Sequence, residues 1–581
     1  MMGMTTDGLS SWQAETEGIT LLGMTIGDFL DQRAQKLPNR EAIVYSCYPE
    51  FGEALSLRWT YQDYRDRANA VAKGLIALGL NKGDHIAVWA ANVPEWVLLA
   101  MAAAKVGLVL VTINPQLRAA EIEYLLKQGE VRVLFFMAKV RDYDHLATLR
   151  SLVSSGTTPG EVTSERLPLL RFVSLMGLAP AGLSAQEGWR PALFEEVLAA
   201  GAQISETALA ERQAAVTHLD PAMLLYTSGT TGAPKGALLS HHGALNNALL
   251  MVQRWGLKPA DRYCTPMPFF HAGGIVFAIL TTLCAGGALH PLVAFDPKKF
   301  LQILEGEHCT FTGAVPTMLL AMLQHPDCET ADLSSLKLVA CDGAPVPVVL
   351  MEQVQARLGA DVSIVFGQTE ASMITMTRPD DPFARKASTV GVPLPHVEVK
   401  IIDPATRQVV PCGGRGEICC RGYQVMLGYY QLPEKTAEAI DPERWLHTGD
   451  LATMDATGHV NIVGRLKEMV IRGGENLFPA EIEEVLLRHP KIANAQVVGV
   501  PDAFFGEALL AVLVPKAGAS LTEQEVRDYC TGQMSHQKVP RYVQFVESYP
   551  QTASGKVQKF VLREQAIKTL GLEELAKRQT A

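Results

Sequence analysis

No two of the ten cysteines stand as C-x-x-C, so the chain offers neither a zinc-ribbon spacing nor a thioredoxin-like dithiol. No export signal is legible at the start, since MMGMTTDGLSSWQAETEG has no basic opening and no apolar core. Free buried thiols in a reducing cytosol, hence a cytoplasmic protein, are the expectation; a disulfide framework or metal cluster is not. Long apolar runs are scarce as well. The stretch 96–111 is interrupted by Lys105 and is too short for a bilayer of roughly 30 Å, which excludes an integral membrane segment. Basic clusters are also missing: 51 Lys and Arg face 61 Asp and Glu, for a net charge of −10. Scattered positive charge builds no stripe for nucleic acid, and none is expected as a partner.

What the chain does have is concentrated in residues 226–236, YTSGTTGAPKG. Three Gly, three Thr and one Ser precede or flank a single Lys235, after the apolar run Ala222 to Leu225. Glycine lets backbone approach phosphate oxygens, hydroxyls and N–H groups donate to them, and the lysine answers their charge. Thr227, Ser228, Gly229, Thr230, Thr231, Gly232 and Lys235 are therefore the candidate nucleotide-phosphate residues. The common G-x-x-x-x-G-K-[ST] loop is not this one, because Pro234 stands where its second glycine belongs and Gly236 follows the lysine. A flexible linker is a poor reading, since apolar segments enter and leave the stretch.

At 581 residues a prior of roughly 150 residues per domain suggests about four folding units. Residues 1–20 lack periodicity and read as a mobile leader. From Ile26 helical patterns (TIGDFLDQRAQKL, YQDYRDRANAVAKGLIALGL) alternate with β-like runs (HIAVWAA, VGLVLVTI, VRVLFFM), the rhythm of βα units around a mostly parallel sheet. Residues 151–217, rich in Ser, Gly, Thr, Pro and Ala, read as a loose surface insertion. Between 388 and 464 short strands with Gly/Pro turns (VEVKIID, GEICCRG, HVNIVG) predict a small β-rich subdomain. Beyond it EIEEVLLRH, NAQVVGV, ALLAVLV, TEQEVRDYC and VPRYVQFV predict a separate α+β unit of about 115 residues.

Six further segments stand in order after the phosphate loop: PFFHAGG (268–274), DGAPVP (342–347), FGQTEAS (366–372), HTGD (447–450), GRLKEMVIRGGENLFPAEIE (464–483) and QTASGKVQK (551–559). Together with YTSGTTGAPKG they closely resemble the signatures of the adenylate-forming superfamily, which includes acyl- and aryl-CoA synthetases, firefly-type luciferases and peptide-synthetase adenylation domains. The resemblance spans 226–559 and, in general pattern, the region from about residue 25. It implies an α/β protein: doubly wound α/β subdomains plus a small β-rich subdomain at 21–464, a hinge at 465–470, and a mobile α+β lid at 471–581. It also implies a ligase using ATP, Mg²⁺ and CoA. A homodimer is compatible with it.

Forming an acyl adenylate presses a carboxylate onto the α-phosphate of ATP, so two anions must meet and developing charge must be neutralised. Glu370 is the expected Mg²⁺ ligand and Thr369 a phosphate donor, with Gln368 beside them; on residues alone a Thr-Glu pair reads as a helix cap, and the motif reverses that. Asp450 suits the ribose diol, because a carboxylate accepts two hydrogen bonds, and Arg465 joins it. Gly343, Ala344 and Pro345 resemble the strip beneath adenine, although as a turn DGAP carries no function. Lys556, otherwise a surface charge, matches the lysine that bridges carboxylate and α-phosphate. His271, otherwise a structural histidine, matches the one at the acyl carboxylate. Lys467 matches the hinge position and Gly474 the glycine under the pantetheine arm.

Within the superfamily, FFHAGGIVF lacks the acid that holds an amino acid's ammonium, and no carrier domain follows residue 581, which counts against amino-acid loading. Ile471 stands where luciferases carry a second lysine. The pocket segments Phe269 to Ile279, Thr312 to Thr317 and Ala340 to Gly343 are almost uncharged and fit a medium- or long-chain fatty acid. Gly273 and Gly274 are expected to leave room for its chain. An aryl acid, or transfer to a separate carrier protein, stays open on composition alone.

Overall fold

The computed structural model describes residues 8–46, 48, 56–177, 190–227, 233–343, 346–473, 475–552 and 556–579. Two mostly parallel sheets form its bulk. In the first the order is Ala192–Leu193, Phe172–Met176, Val131–Met137, His85–Trp89, Val109–Ile113, Pro221–Thr227, Lys235–Ser240 and Gly428–Tyr429. Pairing is parallel as far as Pro221–Thr227 and antiparallel beyond it. HIAVW and VLVTI are buried at every position, as strands must be when helices cover both faces. Ile86 and Val88 enter one core, while Ala87 and Trp89 enter another.

The second sheet has nine strands. Glu41–Tyr45, Ala288–Pro291, Arg262–Thr265, Phe311–Ala314, Leu338–Cys341 and Asp361–Gln368 run parallel, with antiparallel strands at both edges. Connecting helices carry legible caps: the Thr60 hydroxyl accepts from Asp63 N, and the Asp63 carboxylate accepts from Thr60 N, the reciprocal pair that opens Tyr61–Ala77. The apolar run near Lys105 is a core helix, Pro94–Val106, whose buried ammonium pairs with Asp31 at 2.5 Å. Among the described residues no helix is long and apolar enough to cross a membrane.

Two expectations need correction here. Residues 8–20 do not form a free leader: Ser11–Trp12 pairs with Val397–Ile402, and Trp12 is 3% exposed, its ring so close to Gly458 that a methyl group there would lie 2.1 Å from it. The apolar contact of one tryptophan outweighs the polar composition around it. The described residues of 151–217 are likewise not a loose insertion. FVSLM supplies a parallel strand, Phe172–Met176, with Val173, Leu175 and Met176 buried, and the helices Phe194–Gly201 and Glu206–Ala214 follow.

The β-rich region is a five-stranded antiparallel sheet, ordered Ser11–Trp12, Val397–Ile402, Gly416–Gly422, Leu446–Met454 and Val460–Arg465. Its last strand runs into a short 3₁₀ turn, Leu466–Glu468. From Val470 the chain builds another sheet, ordered Glu475–Leu477, Val470–Arg472, Gly506–Pro515 and Ile492–Asp502, with Tyr542–Phe545 parallel to Gly506–Pro515. This unit has its own apolar clusters on the two faces of the sheet.

Candidate active site

The phosphate-loop sequence joins two adjacent antiparallel strands, and Thr227 stands opposite Lys235 where they begin to separate. Ser228, Gly229, Thr230, Thr231 and Gly232 lie outside the described residues, as do Ala344, Pro345 and Gly474. Lys235 Nζ sits 4.1 Å above the Tyr429 ring, and the Tyr429 hydroxyl donates to Glu370 Oε1 at 2.6 Å. A cation, a π-face and a carboxylate are thus stacked in sequence. Burial lowers the Lys235 pKa while the Glu370 charge supports the ammonium; Lys467, also nearby, opposes it.

Glu370 and Thr369 occupy the turn between strands Asp361–Gln368 and Ser372–Met376. Gln368, at the end of the first of these strands, donates to Thr448 O at 2.9 Å and to Asp450 Oδ2 at 2.6 Å. Asp450 also meets Arg465 Nε at 3.2 Å, because the two residues are cross-strand partners in the five-stranded sheet. Burial raises the Asp450 carboxyl above its usual range, against the pull of Arg465 and Gln368. Glu417 holds the HTGD segment from below, accepting from Gly449 N at 3.0 Å and lying 3.0 Å from His447 Nδ1. Cys419 completes a cluster with Glu417 and His447, but Arg407 Nη1 faces the same His447 nitrogen at 3.0 Å, where its positive charge works against a metal.

Lys556 reaches this cleft from the C-terminal unit. A methyl group on Gly343, which has φ +81°, would stand 3.1 Å from Lys556 Cε and 3.7 Å from its Nζ, so the glycine both permits the turn and clears the lysine's path. The side chain still meets solvent in the cleft, yet enclosure lowers its pKa below the ordinary lysine value. Asp342, Asp450 and Glu370 favour its charge, and Arg465 opposes it. Behind it, Lys559 Nζ joins Glu468 at 3.2 Å and Glu483 at 2.7 Å, tying the loop that carries Lys556 to the turn after Arg465.

On the other side of Lys556 is His271, the residue before a helix that begins Ala272–Gly274 and continues through a π-helical stretch, Ile275–Leu280. Its ring lies against Phe270 with centroids 4.3 Å apart. Burial, with a smaller effect from Lys556, pushes its pKa down to about 3, which leaves a neutral imidazole. The two following glycines differ. Gly273 faces Met267 Cε and Asp342, but a methyl on Gly274 would lie 2.1 Å from Pro268 O and 2.5 Å from Phe269 Cα. The expectation that Gly274 opens the acyl channel is therefore corrected: it lets the helix start press against backbone.

Two residues of this cleft escaped the sequence reading. Tyr429 carries no motif of its own, and only its place beside Lys235 and Glu370 gives it meaning. Asp342 is the single acid within a segment read as almost uncharged, and that oddity was the available signal. It is 7% exposed, and burial raises its carboxyl to about 6 against the pull of Lys556.

The chain is similar to known proteins over most of its length. Residues 30–430 match the AMP-binding enzyme family, and residues 481–556 match the AMP-binding enzyme C-terminal domain. YngI of Bacillus subtilis, which bears an acyl-CoA synthetase name, is 43% identical over 95% of this chain and 99% of its own. The mitochondrial medium-chain acyl-CoA ligase ACSF2 of Danio rerio is 38% identical over 95% of this chain and 90% of its own. Among solved structures, ATP-bound MatB from Rhodopseudomonas palustris superposes with TM-score 0.78 at 30% identity, covering 93% of this chain and 99% of its own. The anthranilate CoA ligase AuaEII with anthranoyl-AMP gives TM-score 0.80 at 26% identity, covering 94% and 98%. With both family domains present in order and acyl-CoA synthetases among its full-length relatives, the chain belongs to the AMP-binding enzyme family and is an AMP-forming acid–CoA ligase.

Proposed function

We propose that this cleft activates an apolar carboxylic acid, of medium or long chain, as its acyl adenylate and then passes the acyl group to CoA. The observation that carries the reading is the entry of Lys556, from the C-terminal unit, beside Gly343 of the large one, where its charge acts on Asp450, Glu370 and His271. In it, Lys556 neutralises charge between the acid's carboxylate and the ATP α-phosphate. Asp450, held by Gln368 and Arg465, accepts from the ribose hydroxyls, and the Thr227–Lys235 loop cradles the leaving phosphates. Neutral His271 orients the carboxylate by hydrogen bonding without adding charge.

The donors at Glu370 fit Mg²⁺. Oε1 is engaged by Tyr429, which leaves Oε2, with the Thr369 hydroxyl on the same turn, as hard oxygen ligands of the kind that ion takes together with phosphates. Bound there, Mg²⁺ would neutralise phosphate charge. For the second step, residues 465–470 act as the hinge and 471–581 as the lid, whose rotation withdraws Lys556 and brings Gly474 to the CoA arm. The chain's free cysteines agree with a reducing compartment such as the cytoplasm.

The medium-chain preference draws on the ACSF2 relatives and on the buried apolar residues Phe269, Ile275 and Phe277 that flank His271 in the chain. A second reading, an aryl acid, draws on the likeness to the anthranilate ligase. AMP and pyrophosphate formation, with and without CoA, across C2 to C18 and aryl acids tests both. Preference for aryl acids would overturn the chain-length reading, and release of ADP would overturn the adenylate mechanism.

A further inference from the structure

The acyl side of the cleft holds two polar groups that the chemistry above does not use. Asp342 directly follows strand Leu338–Cys341 and is 7% exposed. Its Oδ1 has no hydrogen-bond partner among the described residues. Tyr263, on strand Arg262–Thr265, is 3% exposed, and its hydroxyl finds no partner in good hydrogen-bond geometry, the Thr265 side chain being the nearest polar group acting on it. The two are near enough that the Asp342 charge raises the Tyr263 phenol pKa, second only to burial. Glycines flank both: a methyl on Gly313 would lie 2.6 Å from Tyr263 Oη, and one on Gly273 would lie 3.9 Å from Asp342 Oδ2. Apolar Met267 and Phe277 make up the neighbouring wall.

An unpaired carboxylate and an unpaired phenol in such a wall are costly, and buried polar groups without partners are rare. A ligand that supplied the partner would repay both. We propose that Asp342 and Tyr263 are specificity-determining residues that recognise a hydroxyl group carried on the chain of the acid substrate. The inference rests on the acid–CoA ligase reading and narrows its substrate class.

A hydroxyl is the group that fits, because it donates to Asp342 Oδ1 while accepting from the Tyr263 phenol. An ammonium could satisfy the carboxylate but offers the phenol no lone pair, and a methylene satisfies neither. The hydroxyl belongs near the carboxylate end of the acid. Asp342 is the foremost opposite charge acting on Lys556, the residue assigned to the reacting carboxylate, so a donor that reaches Asp342 cannot lie far down the chain. The rest of the substrate stays apolar, as the surrounding wall requires.

The test measures kcat/KM for CoA-dependent AMP formation with hexanoate, octanoate and their 2-, 3- and 4-hydroxy derivatives, using the intact enzyme, Asp342→Ala and Tyr263→Phe. At least one hydroxy acid should exceed its parent by about tenfold or more, because a site built around hydrogen-bond partners rejects the analogue lacking them. Each substitution should bring that ratio to one or below, and Asp342→Ala should raise turnover of the plain acid. Independently of activity, Asp342→Ala should raise the melting temperature of the substrate-free enzyme, since it removes an unpaired buried carboxylate. The proposal is overturned if plain acids are preferred throughout, if the ratios survive both substitutions, or if the melting temperature falls. Equal loss with every acid, with use of supplied acyl-AMP intact, would assign Asp342 to Lys556 and also overturn it. If no fatty, hydroxy or aryl acid supports AMP formation, the ligase reading itself falls and takes this inference with it.

Discussion

Replacing Lys556 by alanine separates the two half-reactions more sharply than any other single change. The ammonium stands where Asp342, Asp450 and Glu370 all favour it, and Nζ makes no hydrogen bond among the described residues that its loss would break. An exposed ion pair is worth about 0–1 kcal/mol, at most a fivefold effect on rate. A charge preorganised toward a transition state in an enclosed site is worth about 10²–10³ in rate, or roughly 2.7–4 kcal/mol. ATP–pyrophosphate exchange with octanoate should fall by the larger amount, whereas CoA thioester formation from synthetic acyl-AMP should stay within about twofold. The exchange rate of the parent enzyme should also decline on the alkaline side at a pH below 10.5, because enclosure lowers the lysine pKa from that value and only its charged form serves; the variant should lack this limb. A fivefold loss or less would return Lys556 to the surface charges. Equal loss of both half-reactions would refute the proposed division between adenylation and thioester formation.

The hinge makes a complementary case: Lys467→Pro, which fixes one backbone dihedral in the turn Leu466–Glu468, should keep ATP–pyrophosphate exchange and lose CoA ligation, and full ligase turnover would refute the swing. Gly474→Leu should likewise block CoA use while exchange persists, as steady-state kinetics with varied CoA would reveal. At the helix start, Gly274→Ala should lower the melting temperature sharply because its methyl meets backbone, whereas Gly273→Ala, which meets only the movable end of Met267, should fold and cost longer acids about 1–3 kcal/mol in kcat/KM. The reverse order in a thermal melt and acid panel would be decisive against this assignment. Because His271 is held down to about 3, the exchange rate should show no histidine limb between pH 5 and 8; any rise in octanoate exchange as pH falls through about 6 should vanish in Asp342→Ala, since that carboxyl is the one raised to about 6.

The parallel strands were legible because HIAVW and VLVTI are apolar at every position, and the motif-bearing loops fall at strand ends where a phosphate loop, Glu370 and Asp450 can converge. Local pattern failed where a single contact across the fold decides the outcome. FVSLM is a strand because Val131–Met137 lies beside it, in spite of the Ser- and Gly-rich chain around it. Tyr429 matters through a carboxylate 59 residues away. Asp342 is separated from Tyr263 by most of a sheet's worth of chain, and its burial follows from packing that no window of neighbouring residues reports. Gly274 was misread for the opposite reason: a glycine beside a site suggests room for substrate, but the space it clears is taken by the protein's own backbone.

The strand Ser11–Trp12 occupies one edge of the five-stranded sheet, and Val460–Arg465, which leads into the turn ahead of the C-terminal unit, occupies the other. Whatever is fused to or cut from the beginning of the chain therefore acts on the sheet from which the C-terminal unit departs. Deleting residues 1–15 would strip a strand from Val397–Ile402 and unseat Trp12 from Gly458, leaving a raw sheet edge of the kind that recruits other chains. Purification tags are safest at the far terminus, and a shortened form that aggregates or couples its half-reactions poorly would betray damage to this sheet, with every proposed catalytic side chain still in place.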